Sequence, residues 1–572
     1  MKRKWRMRPQ DPERIARLAT EQGCHAAVAA VLINRGITLP EHAERFLRPS
    51  LQHLPSPFVF KDMDKAVSRI VQALREDQNI LIFGDYDVDG MTATALLFEF
   101  FSHAGAKVDY YIPDRLTEGY GLSAHAVSRH AASNRVDLII TVDCGITSDK
   151  AVAEAKACGI DVVITDHHEP PDHLPPAYAI VNPKRRDCPS GLRSLAGVGV
   201  AFNLALALRK RLRDEGFWSN GNREPNLKAA CDLVALGTVA DMVPLVRENR
   251  IYVKTGLAVL TTSPRPGLQA LIETAGLSGR TLDTRDLAFR LAPRLNAAGR
   301  LAHASQGCKL LTTRSHHTAR PIAEELDRKN NQRRDMEAAI FDGITSRLDG
   351  DPDLLPGGLV LDSPAWHQGV IGIVASRLVN RYMRPVVLIS VENGLGKGSA
   401  RSPEGFDIFH AFKTCRSHLE RFGGHAVAAG LTIKADNIAG FREAFQQFVA
   451  ENTKAEGFVP TLDIDTELRA PDICPDLVDE LDLLAPFGSG ADEPLFVVSD
   501  LAVESAQTVG SGHTKMRLSP RNGHITKAFD AILFNQDIGN APPPRFEKVA
   551  CNVRWNHWMN RKRIQLIIKD FI

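Results

Sequence analysis

The stretch Asn79-Ile80-Leu81-Ile82-Phe83-Gly84-Asp85-Tyr86-Asp87-Val88-Asp89-Gly90 decides the fold. Its first half is apolar without alternation, the pattern of a strand buried on both faces. Gly84 ends that run, and carboxylates follow at positions 85, 87 and 89. Acids this close repel one another unless a cation shares them, and hard divalent ions prefer oxygen ligands of this kind. An acidic surface turn is one rival reading, and a calcium loop of the EF-hand type begins with the same residues. That loop needs a preceding helix and a bidentate Glu at its twelfth position, where this chain has Leu96. A phosphate-handling metal site is the better reading.

The same order of apolar run, terminal acid or His, then helix recurs downstream. A helix over Thr92–His103 follows the first strand; Lys107–Ile112, Asp137–Val142 and Asp161–Thr165 read as further strands, and Asp149–Cys158 as a helix. Strands alternating with helices imply a parallel sheet covered on both sides, with ligands bound at the carboxyl ends of its strands. Asp143 ends one run and Asp166-His167-His168 ends another, so three strands deliver metal-type ligands to one edge. Next to those acids, a ligand role for at least one of His167 and His168 outweighs a pair of loop histidines. Asp241, where the apolar stretch Ala235–Ala240 stops just before Pro244, is a further candidate.

A chain of 572 residues is long for one core and suggests roughly three or four domains. Lys and Arg total 70 against 68 Asp and Glu, so bulk charge cannot hold a polyanion and any nucleic-acid surface must be local. Nine cysteines without a Cys-x-x-Cys pair read as reduced structural thiols. The basic start, Met1 to Pro9, leads into no apolar segment and reads as a solvated tail; no run approaches a membrane span, and the expectation is a cytoplasmic protein. Ala26–Asn34 and Asp62–Leu74 carry helical spacing. Ala319–Leu348 reads as a long connecting helix weakened near Gly343, and Gly394, Gly396 and Gly398 as positions where backbone amides approach a phosphate. From about Thr461 short β-like runs appear at 495–498, 516–518, 529–534 and 564–568, with Trp555, Trp558, Arg561, Lys562 and Arg563 either a stacking surface or core aromatics beside a charged hairpin.

In order and spacing, Gly84–Gly90, Val142-Asp143-Cys144-Gly145, Thr165-Asp166-His167-His168 and Leu236–Asp241 resemble the four amino-terminal motifs of the DHH phosphoesterases. Downstream, Ala292–Arg300, Trp366–Gly372, Gly398–Ser402 and Gly423–Gly430 are similar to the single-strand-specific exonuclease branch of that family, over a match from about residue 45 to the carboxyl end. Phe487–Pro494 departs from the family pattern at Ala491-Asp492.

The resemblance implies an α/β protein: a parallel-sheet DHH domain joined by a long helix to a DHHA1-type α/β domain, plus a C-terminal OB-fold β-barrel. The expected division is an N-terminal helical arm over 1–60, a catalytic domain over 61–312, a connecting helix over 313–349, a substrate-binding domain over 350–455 and a nucleic-acid-binding domain over 456–572. It further implies two divalent cations, Mg²⁺ or Mn²⁺. Asp87 and Asp143 would hold one, and Asp89, Asp143, His167 and Asp241 the other, with Asp143 shared. His168 would face the substrate phosphate, and Asp85 is an extra ligand candidate. A water acidified by both ions would attack the phosphorus in line. Arg115, Arg294, Asn296, Ser399, Arg401 and His425 match phosphate-contacting or neighbouring positions, a task for which the planar fork of Arg is suited.

The implied activity is metal-dependent degradation of single-stranded DNA from a 5′ end to mononucleotides, in recombination and repair. Implied partners are single-strand-binding protein and a repair helicase, with no membrane and a monomeric chain. The alternatives are a relative cleaving short RNA or cyclic dinucleotides, and a single-strand DNA-binding scaffold without catalysis.

Overall fold

A computed structural model describes residues 3–115, 117–134, 136–219, 223–301, 304–350, 357–453, 458–510, 512–521, 528–535, 543–558 and 561–572. The chain divides into two compact units, one formed by Trp5–Gly299, His303–Glu324 and Asp463–Ile572, the other by Met1–Lys4, Arg300–Ala302 and Glu325–Leu462.

The first unit is built on a five-stranded sheet in the order Val108–Tyr111, Ile80–Gly84, Leu138–Val142, Asp161–Thr165, Ala179–Val181, parallel throughout. Three of these strands are apolar runs and every residue of Ile80–Gly84 and Leu138–Val142 is buried, as helices on both faces require. The helix after the first strand begins at Val88 and ends at His103, four residues earlier than its spacing predicts. Asp87 starts it by accepting at Oδ1 from the Asp89 and Gly90 N–H groups, a cap that outweighs the poor helix propensity of Val-Asp-Gly. This helix is apolar nearly all round, so it sits inside the unit, against Gly197–Asp214 and Cys231–Ala240.

The same unit holds a barrel formed by Phe496–Val509, His513–Pro520, Phe529–Leu533, Arg561–Phe571 and Arg545–Trp558, closed by pairing of the last with the first. Its core is not its own. Leu18, Val28, Val31, Leu32 and Leu47, from the helices Pro12–Gln22, Ala26–Asn34 and Pro40–Leu47, join Phe496, Leu518, Phe546 and Leu566 in one buried cluster. The basic start is no solvated tail. Arg6 donates to both oxygens of Asp463, the Trp5 indole N–H to Asp570, and Arg8 lies 3.6 Å from Asp463. Arg250 is buried and donates to the carbonyls of Phe46, Leu483, Ala485 and Pro486, tying the arm and the barrel's approach segment to the catalytic-type fold.

The second unit carries a five-stranded mixed sheet in the order Arg421–His425, Ala428–Lys434, Leu395–Arg401, Val386–Glu392, Leu359–Ser363, with only the last pair parallel. The long helix runs from His316 to Gly350, about 50 Å at 1.5 Å per residue. Gly343 does not break it. No helix among the described residues is long and apolar enough to cross a membrane.

Candidate metal centre and phosphate-binding residues

The sheet's strand order reverses between Ile80–Gly84 and Leu138–Val142, and such a reversal opens a crevice at the strands' carboxyl ends. Gly84 pairs with Val142, and Val142 with Thr165, so Asp85, Asp143 and Asp166 leave the sheet at one level. Asp143 has φ +60°, a left-handed conformation that Asp tolerates better than most residues and that turns its side chain out of the strand's alternation. The predicted acids and imidazoles do converge. His167 Nε2 lies 3.1 Å from Asp143 Oδ1, 3.7 Å from Asp241 Oδ2 and 3.9 Å from Asp89 Oδ2. Ligand-type atoms gather within 4.8 Å of one another in three sets: Asp85, Asp87 and Asp143; Asp89, His167 and Asp241; Asp143, His167 and His168.

Burial without compensation marks these groups. Asp85, Asp89, Asp143 and His167 are buried, and Asp85 Oδ1, Asp143 Oδ1 and both ring nitrogens of His167 have no well-aligned hydrogen-bond partner among the described residues, the 3.1 Å approach of His167 to Asp143 included. Native proteins rarely leave buried polar atoms so, and a bound ion is one of the explanations that fits oxygen and imidazole donors together. Burial and then the Asp87 charge push the Asp85 carboxyl up to about 8; the same two causes push Asp241 up to about 7. Asp89 and Asp143 lie well above the usual carboxylate range, from burial first and neighbouring carboxylates second. Burial, then His168, holds His167 down to about 4, which keeps its ring neutral with a lone pair to offer.

Several supports carry no signal that a reading of acids and histidines detects. Asp89 accepts from the N–H groups of Gly197 (2.6 Å) and Val198 (2.8 Å), the first turn of the helix Gly197–Asp214, whose dipole favours the carboxylate there. A Cβ at Gly197 would stand 2.5 Å from Asp143 Oδ1, and one at Gly237 would stand 2.9 Å from Asp89 Oδ1. Gly197-Val198-Gly199 opening a helix is the pattern through which the first could have been found. Asp166 is not among the gathered ligand sets. It accepts from the backbone N–H groups of Ile146, His167 and His168 and lies 2.7 Å from His168 Nδ1. Burial alone would raise its carboxyl, but the bond from His168 holds it below the ordinary range; Asp166 in turn outweighs burial and raises His168. Asp166 therefore orients His168. Tyr120, half exposed, donates its hydroxyl to the Asp143 carbonyl and lies 3.2 Å from His168 Nδ1.

The phosphate-contact candidates divide between the units. In the first, the Arg115 guanidinium stands 5.0 Å from the ring centroid of Tyr86, between Asp85 and Asp87 in sequence. Asn296 Oδ1 accepts from the Val88 N–H and so fixes the acidic loop. Arg294 is largely buried and donates to the Arg290 carbonyl. In the second unit, Arg401 donates to Ser399 Oγ, and a Cβ at Gly372 would meet both side chains. His425 pairs with Ala428, which pairs with Arg401, so His425 and Arg401 share one face two strands apart.

One expectation is corrected, and one pair of alternatives is decided for Trp555. Gly396 and Gly398 lie in the strand Leu395–Arg401, where a Cβ would strike Ile389 or Leu431; tight packing, not approach to phosphate, explains them. Trp555 donates to Asp479 while Lys562 covers its ring at 4.0 Å and pairs with the same Asp479, so this face is closed to stacking. The Trp558 side chain lies outside the described residues.

The chain matches three family models: the DHH family, N-terminal domain, over residues 79–238; the DHHA1 domain over 356–451; and the RecJ OB domain over 464–570. It is 38% identical to the single-stranded-DNA-specific exonuclease RecJ of Escherichia coli strain K12, covering 94% of each chain. It is 36% identical to the RecJ of Bacillus subtilis strain 168, covering 100% of this chain and 71% of that one. Among solved structures, RecJ of Thermus thermophilus in complex with Mn²⁺ is similar at a TM-score of 0.84 and 31% identity, over 100% of this chain and 79% of that one. The Mg²⁺ complex of the same protein gives 0.77 and 30%, over 99% and 78%.

Proposed function

This chain belongs to the RecJ family of single-stranded-DNA-specific exonucleases, and from that membership we propose that it hydrolyses single-stranded DNA from a 5′ end, releasing mononucleotides in recombination and repair in the cytoplasm. The observation that carries the chemistry is the set of buried carboxylate and imidazole atoms left without hydrogen-bond partners at the sheet's point of reversal. Their donor set suits two divalent cations, Mg²⁺ or Mn²⁺, with Asp87 and Asp143 holding one, Asp89, Asp143, His167 and Asp241 holding the other, and Asp85 as a further ligand. Such ions supply Lewis acidity, which acidifies the attacking water and offsets charge on the phosphate.

The remaining work belongs to the chain. The Gly197–Asp214 helix terminus fixes both oxygens of Asp89 and offsets part of the rise that burial and neighbouring acids impose on it. Asp166 keeps a proton on His168 Nδ1, leaving its other edge to meet a phosphate oxygen. Arg115, Arg294 and Asn296 are the first unit's candidates for contacting phosphate, and Ser399, Arg401 and His425 are those of the second unit taken by itself. Single-strand-binding protein and a repair helicase are the partners that membership points to, acting with a monomer.

The test uses oligonucleotides labelled at either end, single and double stranded, with Mg²⁺, Mn²⁺ or chelator. The expected result is mononucleotide release from the 5′ end of single strands, only with metal. Short products from a 3′ end would refute the polarity, and activity in chelator would refute the metal assignment.

A further inference from the structure

Away from the acidic centre, the first unit carries a pocket of about 680 Å³ that is open to solvent, within the size range of small-molecule sites. Its walls come from three parts of the chain: residues 35–55 of the arm, residues 190–192 and 246–251 of the catalytic-type fold, and Gly490 on the approach to the barrel. The lining is cationic. Arg35, Arg45, Arg247 and Arg250 line it against Glu248 as the one acid among the described lining residues, with His42 and His53 beside them as further nitrogen donors.

The fold uses part of this charge, through the four carbonyl bonds of Arg250 and the Asp465 and Asp492 charges that act on Arg35, and leaves part unused. Arg45, His42 and His53 make no side-chain hydrogen bond or ion pair among the described residues. Arg35 donates through Nη2 to the Asp492 carbonyl, while its buried Nη1 has no acceptor. Arg247 spends one bond on the Gly191 carbonyl and lies 3.7 Å from Glu248. Arg250 meets carbonyls but no carboxylate, and burial, then the nearby Arg35 charge, pushes its guanidinium down to about 9. An anion in the cavity would offset that repulsion, and arginine forks match phosphate oxygens. Apolar side chains share the lining: Ile37, Leu192, Ile251 and Phe46, whose ring centroid lies 3.8 Å from the Arg250 guanidinium and 5.7 Å from that of Arg35. A bare phosphate would leave these side chains wet; a phosphate ester with an organic group would cover them.

We propose that this cavity is a second ligand site that takes a nucleoside phosphate, separate from the metal-type centre. The nucleoside, though not the phosphate, rests on the exonuclease reading, whose product carries both parts. Val246 stands five residues beyond Asp241, and between them the Leu245 N–H is held by the Ser489 carbonyl, so one wall continues the segment that carries a candidate metal ligand.

The test is calorimetric titration of the full chain with deoxyadenosine 5′-monophosphate in chelator, beside inorganic phosphate and a single-stranded oligonucleotide. The expected result is saturable nucleotide binding that survives Asp143→Ala and weakens about tenfold or more in Arg45→Glu and in Arg247→Glu. Both altered positions are exposed, and circular dichroism reports whether the variants fold. Binding that vanishes in Asp143→Ala but not in the arginine variants would place the nucleotide at the metal-type centre and overturn the proposal. Phosphate binding as tightly as the nucleotide, or an oligonucleotide alone being sensitive to Arg45→Glu, would overturn it too. Nuclease activity of the parent chain, measured separately, tells failure of this site from failure of the exonuclease reading.

Discussion

Two buried charged clusters in the first unit answer the same problem in opposite ways. Around Arg265 the charges close on one another: its guanidinium grips both oxygens of buried Asp232 at 2.8 Å and reaches Glu99 at 2.6 Å and the Leu311 carbonyl. Burial would lower the arginine, yet Asp232 and Glu99 hold it above its ordinary value. Around Asp143 the charges do not close. Acids face acids, no arginine or lysine among the described residues hydrogen-bonds to them, and buried oxygen and nitrogen atoms remain unmatched. A closed network stabilises a fold; an open one dominated by carboxylates stores a demand for something from outside. The contrast separates structure from function more surely than burial or pKa shift taken alone.

The largest effect that can break the contrast is on catalysis. Asp143→Ala is expected to lower exonuclease activity at least about thousandfold, roughly 4 kcal/mol of transition-state stabilisation. Its unfolding midpoint in chelator should stay level or rise, because a repelling charge is removed. Activity within tenfold of the parent would erase the distinction. Asp232→Ala should do the reverse, costing about 3 kcal/mol in urea unfolding because Arg265 is left buried with only Glu99 and a carbonyl to meet it. A loss below about 1 kcal/mol would show that the closed cluster is not what holds that region.

Metal removal sharpens the comparison. Carboxyls at Asp85 and Asp241 raised to about 8 and 7 contribute stability below pH 4 that is lost as pH rises through those values. The chelated protein should therefore unfold at a lower temperature at pH 8 than at pH 5. Mn²⁺ at a hundredfold excess over its dissociation constant should restore about 2.7 kcal/mol. A chelated protein equally stable at both values would mean that the acids are matched by some unseen partner. Smallest is Tyr120→Phe, which removes one hydroxyl from the Asp143 carbonyl and His168; kcat should fall about two- to tenfold, the worth of one hydrogen bond. An unchanged kcat would take Tyr120 out of the open cluster.

How far this was readable without coordinates depended on range. The strand Ile80–Gly84 and the acids after it lie side by side in the chain, so periodicity and repulsion reveal them together. Asp241 is legible only as an apolar stretch halted by an acid, and its meeting with Asp89 needs the fold. Gly197 shows only as part of a Gly-Val-Gly helix start, and Gly237 is silent, because the role of each is the absence of an atom beside a carboxylate from elsewhere. The strand Arg545–Trp558 escapes a search for apolar runs since its outward residues are polar and charged. Arg6 reads as solvated because its partner, Asp463, stands 457 residues away.

That last distance has a consequence for synthesis. The first helices bury Leu18, Val31 and Leu47 against a barrel from the opposite end of the chain, and the His25 N–H meets Glu480 across 455 residues. At about 5–20 residues per second, a ribosome leaves those helices waiting roughly 20–90 s for the surface that covers them. During that interval a greasy, unpartnered stripe is presented to the cell, and the nascent chain becomes a client for whatever shelters such stripes until translation ends.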